Sequence, residues 1–347
     1  MNSRTGPPRR AMAAWLLACC ALVFAIVVVG GITRLTHSGL SIVEWQPLVG
    51  AVPPLNEGEW RDTFARYRAT PEFRLRNFDM TLEGFKRIFW WEYAHRLLGR
   101  VIGVAFLVPF LYFLARRAIS RPIAWRLAGI FALGALQGAL GWFMVKSGLV
   151  DDPRVSSVRL AAHLGTAFLI YAAMLWLALG LAFGMARRAG LRTRRHAAAL
   201  AVLVFVMVLS GALVAGIHAG LAYNTYPLMD GHWVPPEILL LDPWWRNLVY
   251  NMATVQFNHR ILALAVAATA LSLSARVLRD PAARPRDRRW AAALAAAVVL
   301  QLAAGISTLL LRVPLPLAAL HQSGALVVFT CAVGLWHALA RTRELHP

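Results

Sequence analysis

The chain has 347 residues, 59% of them apolar and only 15% charged, with a mean hydropathy of +0.57. A water-soluble domain of this length needs more polar surface than that, so composition places the chain in a membrane. The net charge of +20 would suit a nucleic-acid ligand, but the arginines gather in alternate connections between apolar runs. That distribution is a topology signal with some contact to anionic lipid, and it excludes nucleic acid as a partner.

A membrane-crossing helix needs about 20 consecutive apolar residues. In chain order, runs at 11–33, 160–186, 197–217, 290–311 and 313–340 meet that length outright. Runs at 97–115, 123–145 and 261–275 do so with a polar residue or two inside, so the sequence predicts eight transmembrane helices. Arg4, Arg9 and Arg10 precede the first helix, and Arg116, Arg117 and Arg121 follow the second. Arg187, Arg188, Arg192, Arg194 and Arg195 follow the fourth, Arg276 to Arg289 the sixth, and Arg341 and Arg343 the eighth. Short arginine-rich connections mark the cytoplasmic side, so both termini are expected inside. The first apolar run lacks a small-x-small cleavage site before Arg34, so it reads as a retained helix rather than a signal peptide. The Ala/Arg usage and the absence of a transit peptide point to a bacterial inner membrane. Cys19, Cys20 and Cys331 all lie within predicted spans, where they read as small packing residues rather than partners in a periplasmic disulfide.

The long outer connections, 34–92 and 218–257, follow the first and fifth helices, which prompts a search for a repeat. His95-Arg96 matches His259-Arg260 at an offset of 164, and Gln137 and Gly141 match Gln301 and Gly305 at the same offset. His163 matches His321 at 158, and His37-Ser38-Gly39-Leu40 matches His218-Ala219-Gly220-Leu221. A Pro-Leu pair follows each of those last two segments (Pro47-Leu48 and Pro227-Leu228). The expected fold is therefore all-α and integral to the membrane: two pseudo-symmetric four-helix bundles, residues 1–186 and 187–347, related by an axis along the membrane normal.

His95, His163, His259 and His321 are expected in the first turn or two of the even-numbered helices, all at one depth near the outer face. Two imidazoles on parallel helices of one bundle, about 4 Å apart through an iron, make a bis-His haem site, and two halves make two sites. Zinc or copper would add Cys, Asp or Glu ligands, which the second half lacks. His37 and His218 stand in register at the outer ends of the first and fifth helices, open to a role at a haem edge. His196, His337 and His346 read as solvated on the cytoplasmic side, and His232 has no evident partner. The halves also differ. Glu92, one turn before His95, has Gln256 as its counterpart, and Arg100 has Leu264. An intramembrane charge is a functional signal unless it is a helix-end carboxylate or, as Glu92 would allow, a partner of Arg96 at i, i+4. One half thus reads as a plain bis-His cytochrome, the other as the same frame with acid–base equipment.

At these residues the chain resembles the haem A synthase family, over nearly its whole length. The most specific stretches are 30–36 (GGITRLT), 39–48 (GLSIVEWQPL), 53–56 (PPLN), 92–100 (EYAHRLLGR) and 258–260 (NHR). The resemblance implies oxidation of a methyl group of haem O to the formyl group of haem A by successive hydroxylations, for cytochrome oxidase biogenesis. It implies a haem b held by His259 and His321, and a substrate haem between His95 and His163 with Glu92 needed for the reaction. The outer-loop cysteine pairs of one branch are missing, so the chain looks like the proteobacterial and mitochondrial branch. Arg96, Arg260 and Arg34 are candidates to pair with haem propionates. Implied partners are haem O, an electron donor (a ferredoxin or a quinol), haem O synthase, membrane lipid and a second copy of the chain. The competing function is a membrane-bound bis-His cytochrome b that only transfers electrons, which leaves the Glu92/Gln256 difference unexplained. A transporter is disfavoured because the spans lack paired breaks at mid-membrane.

Overall fold

The computed structural model describes residues 7–44, 49–149, 153–183 and 189–340. Residues 45–48 of the loop motif, Arg4, Arg187, Arg188, Arg341, Arg343, His346 and the expected boundary at 186/187 lie outside the described residues.

The α-helices in chain order are α1 (Pro7–Leu35), α2 (Glu57–Arg68), α3 (Pro71–Arg76), α4 (Leu82–Ala115), α5 (Arg121–Lys146), α6 (Ser157–Phe183), α7 (Leu191–Gly216), α8 (Asn247–Tyr250), α9 (Met252–Arg279), α10 (Pro285–Leu310) and α11 (Leu315–Leu339). All but α2, α3 and α8 are long and apolar enough to cross a membrane, so among the described residues there are eight such helices, as expected. Helices are what such apolar runs must form, because hydrocarbon offers no partner for a free backbone N–H or C=O. Their starts carry the usual signals. Thr81 and Asn251 accept hydrogen bonds from the backbone of Gly84 and Thr254, and prolines open α5, α10 and α11.

The spanning helices close into two rings. In the first, α1 packs on α4, α4 on α5, α5 on α6, and α6 back on α1. In the second, α7 packs on α9, α9 on α10, α10 on α11, and α11 back on α7. The rings meet along a seam where α6 touches α7 and α11, and α1 touches α11. The seam is dense. Phe168 meets Phe329 with ring centroids 5.2 Å apart, Trp176 meets Trp336 at 4.6 Å, and Tyr171 shares a 2.8 Å hydrogen bond with Thr330. Gln322 Nε2 donates to the Val27 carbonyl at 2.7 Å, in a space that only a glycine at position 31 leaves open. One hydrophobic core runs through both rings.

The second helix differs from its expected extent. It begins at Leu82 rather than near residue 97, which adds about 22 Å of rise outside the apolar run. Charged residues broke the hydropathy signal there, but the extension is held by aromatic packing instead. Phe85 and Phe89 are buried against Tyr67 and Phe73 of α2 and α3, with Trp60, Phe64 and Tyr93 around them. Tyr67 stacks on Phe85 at 5.1 Å, and Trp60 meets Phe89 edge-on at 4.8 Å. Residues 57–92 of this connection thus form a folded cap with its own small core.

Candidate functional site

His95 lies on α4 and His163 on α6, which are opposite corners of the first ring; His259 on α9 and His321 on α11 are opposite corners of the second. His163, His259 and His321 stand about two turns into their helices, close to expectation. His95 does not. Because α4 begins early, His95 sits between three and four turns in. His95 shares the first ring with His163, and His259 shares the second with His321. All four imidazoles are half-buried.

The other diagonal of each ring supplies glycines. A Cβ added at Gly30 of α1 would lie 2.9 Å from His95 Nε2, and one at Gly141 of α5 would lie 3.0 Å from His163 Cε1. In the second ring, a Cβ at Gly211 of α7 would lie 3.3 Å from His259 Cε1, and one at Gly305 of α10 would lie 2.6 Å from His321 Cε1. Each histidine therefore has a glycine against its ring, on a neighbouring helix. Such close approach is what the missing side chain allows.

The hydrogen bonds differ between the pairs. His259 Nδ1 is 3.3 Å from Ser210 Oγ. Gln301 Nε2 donates to the His321 carbonyl at 2.8 Å and lies 3.1 Å from its Nδ1. In the first ring, Gln137 Nε2 lies 3.4 Å from His163 Nε2, while His163 Nδ1 is buried without a hydrogen-bond partner.

Glu92 is buried, and Arg96 Nε donates to its carboxylate at 2.6 Å. Arg96 also donates to the carbonyls of Ile42 at 2.7 Å and Glu44 at 2.9 Å, pinning the loop after α1 to α4. The second ring builds the same clamp without an ion pair: Gln256 and Arg260 both donate to the Tyr223 carbonyl, at 3.1 and 3.0 Å, and Arg260 reaches the Leu228 carbonyl at 3.3 Å. The guanidiniums of Arg96 and Arg260 are thus engaged with the loops that follow α1 and α7.

His37 and His218 both adopt the left-handed conformation, with φ of 53° and 58°, at the ends of α1 and α7. Their rings stack across the seam, 6.2 Å between centroids. They line a cavity of about 530 Å³ with Thr36, Glu72, Arg76 and Asn77. Burial, then the nearby Arg34, His37, Arg76 and Arg154, holds the His218 imidazole down at about 4. Burial pushes the Glu72 carboxyl up to about 7, against a hydrogen bond from Tyr67 and the charge of Arg76.

Two other expectations about histidines are corrected. His337 is not solvated: it is fully buried at the seam, its ring 4.9 Å from that of Trp176 and its Nδ1 3.4 Å from an Arg286 nitrogen. Its neighbours come from α6 and α10, which sequence spacing cannot bring together. His232 does have a partner: its Nδ1 is 3.0 Å from the Asp230 carbonyl, and its backbone pairs with Met229. Ser210 and Gly211 were not singled out from sequence, although Ser210-Gly211 on α7 stands before His218 much as Val29-Gly30 on α1 stands before His37.

Each ring offers two imidazoles, and among the described residues no group of three or more His, Cys, Asp or Glu gathers as a metal cage. Two imidazoles per ring, each with a glycine against it, would fit a haem, which takes at most two protein ligands, better than a tetrahedral ion, which takes three or four.

A profile of the family described as cytochrome oxidase assembly protein matches residues 13–333. Curated relatives include a "Heme A synthase" of Nitrosospira multiformis, 56% identical over 96% of this chain and 94% of that protein. Another is that of Nitrosomonas eutropha, 50% identical over 94% of this chain and 92% of the relative. A third, of Rhodospirillum centenum, is 50% identical over 98% and 92%.

Proposed function

The chain belongs to the cytochrome oxidase assembly protein family that includes the haem A synthases, and we propose that its two histidine pairs divide the work of one reaction. It is a multi-pass membrane oxidoreductase that converts haem O to haem A for cytochrome oxidase assembly. In our reading His259 and His321 hold a haem b, and His95 and His163 receive the haem O whose methyl group becomes a formyl group through two hydroxylations and loss of water. The observation that carries this is the arrangement of the four histidines: two pairs, each spanning a four-helix ring, each ring flanked by glycine. The repeated His-Arg, Gln and Gly positions support a duplicated four-helix unit with a substrate half, 1–186, and a haem b half, 187–347. The alternation of arginine-rich connections supports cytoplasmic termini, haem sites toward the periplasm and a bacterial inner membrane.

A haem b between His259 and His321 supplies one-electron transfer toward the substrate site when bound. The chain's own residues do the rest. His95 and His163 orient the substrate haem, and the glycines against them leave room for its flat face. Arg96 pairs with Glu92 one turn from His95, where a carboxylate would stabilise positive charge developing at the oxidised carbon or take a proton as water adds. The Arg96 and Arg260 clamps hold the outer loops over the two sites and keep bulk water away from them. Each hydroxylation is a two-electron oxidation whose oxidant we take to be dioxygen: one O2, two protons and two electrons from a ferredoxin or a quinol are consumed per hydroxyl group formed, and one water is released. Haem O synthase and a second copy of the chain are the other proposed partners.

Optical spectra of purified single variants, with extraction of the bound pigment, test the division. His259→Ala or His321→Ala is expected to abolish the stable haem b signal, whereas His95→Ala keeps most of it. Extracted wild-type pigment should be haem B with traces of haem O or A. Equal loss of signal in all four histidine variants would overturn the assignment.

A further inference from the structure

We infer that Ser210 is a positioning residue for His259, and that its hydrogen bond helps make the C-terminal pair a site of retention and the N-terminal pair a site of exchange. This rests on the reading that His259 and His321 hold the resident haem. An imidazole that gives one ring nitrogen to a metal carries its proton on the other, and the acceptor of that proton fixes the ring's tautomer and orientation and raises its basicity. Ser210 supplies such an acceptor. Its hydroxyl lies 3.3 Å from His259 Nδ1, and the residue is only 8% exposed, so water offers little competition. On the facing helix Gln301 Nε2 donates to the His321 carbonyl at 2.8 Å and lies 3.1 Å from the ring's Nδ1, so this amide, a donor, does not give His321 the kind of acceptor that Ser210 gives His259. At His259 the polar contact falls on Nδ1, which leaves Nε2 for a metal.

The N-terminal pair is built differently. Val29 precedes Gly30 as Ser210 precedes Gly211, and a valine side chain accepts nothing. His163 Nδ1 is buried with no partner, and Gln137 lies instead 3.4 Å from Nε2, the nitrogen that the other pair keeps clear. A ring held this way gives up one contact whenever it takes a ligand and regains it on release. That suits a substrate that arrives as one haem and leaves as another. His259, whose contact with Ser210 is made at Nδ1, has none to give up at Nε2, so the haem it holds stays.

The full-length protein, purified in mild detergent with its haem, is compared with Ser210→Ala, Ser210→Thr and His259→Ala. Haem loss to excess apomyoglobin and the midpoint potential are measured. Losing one outer partner of a metal-bound histidine commonly weakens retention about 10–100-fold. Ser210→Ala is therefore expected to release haem about that much faster and to raise the midpoint potential, because a less electron-rich imidazole favours the ferric state less. Ser210→Thr, which keeps the hydroxyl, should restore both. Unchanged loss rate and potential in Ser210→Ala, with haem absent from His259→Ala, would overturn this inference and leave the assignment of the pair standing. Haem retained in His259→Ala would overturn both.

Discussion

Glu92 shows how much one side chain can be asked to do. Its carboxylate is buried and paired with Arg96 at 2.6 Å, so part of its role is to anchor the guanidinium that pins the loop after α1. Gln256 does the corresponding anchoring with an amide, and the second ring folds around it. An amide is therefore acceptable at this position, and the charge is what remains to be explained. Glu92→Gln should leave protein yield and the haem b spectrum near wild type. Arg96 keeps its two carbonyl acceptors, so the stability cost should stay below the ~3–5 kcal/mol of a stranded buried charge. Turnover should fall by about 10²–10³, the usual loss when one preorganised electrostatic contact is removed. Chromatography of haems from membranes that also contain haem O should show haem O or a hydroxylated product accumulating. Wild-type haem A levels would return Glu92 to a purely structural pairing role.

Between helices, the decisive feature is backbone proximity at the histidines. A Cβ at Gly305 would come within 2.6 Å of His321, closer than real contacts allow, whereas one at Gly211 would sit 3.3 Å from His259 and need only a small shift. Both helices are locked in the ring, so the imidazole must move. Gly305→Ala is expected to lower the haem-to-protein ratio of the purified protein far more than Gly211→Ala; the reverse order would contradict the packing. The cap formed by α2 and α3 makes a separate prediction about pH. Glu72 is 2% exposed and its carboxyl is raised from 4.5 to about 7, so the folded cap favours the neutral acid. Its contribution to cap stability is fully present below about pH 4.5 and is lost as the pH rises through about 7, because the unfolded cap releases that proton earlier. Amide hydrogen exchange in residues 57–76, corrected for intrinsic rates, should show protection falling between pH 5 and 8 in wild type. The change should be absent in Glu72→Gln. Protection that rises with pH in wild type would contradict the burial-driven shift.

At the scale of the whole molecule, the seam makes the two rings one body. Phe168, Trp176 and Tyr171 of α6 meet Phe329, Trp336 and Thr330 of α11, and Gln322 of α11 reaches across to α1. The two histidine pairs, one in each ring, are thereby held at a constant separation, as the proposed electron transfer between them would need. The cysteines belong to this packing. Cys19, Cys20 and Cys331 are buried and free, and Cys20 Sγ lies 3.9 Å from the Tyr171 carbonyl, across the contact between α1 and α6. The stacked His37 and His218 close the seam at one end, where the first helix of each ring terminates.

The number of membrane helices and the family were legible in the sequence. Apolar runs of spanning length have one stable backbone solution in lipid, and a repeated His-Arg, Gln and Gly pattern marks corresponding helix positions wherever the helices end up. The Glu92 and Arg96 pair was also readable, since residues four apart on a helix share a face. Other features were decided by the tertiary structure alone. The early start of α4 depends on Phe85 and Phe89 finding Tyr67 and Phe73, a contact that hydropathy does not register. His337 is dry only because α6 and α10 close around it. The glycines against the histidines and the bond from Ser210 to His259 join residues 16 to 65 positions apart on different helices. Such contacts follow from the way helices pack, and local periodicity carries no information about which faces will meet.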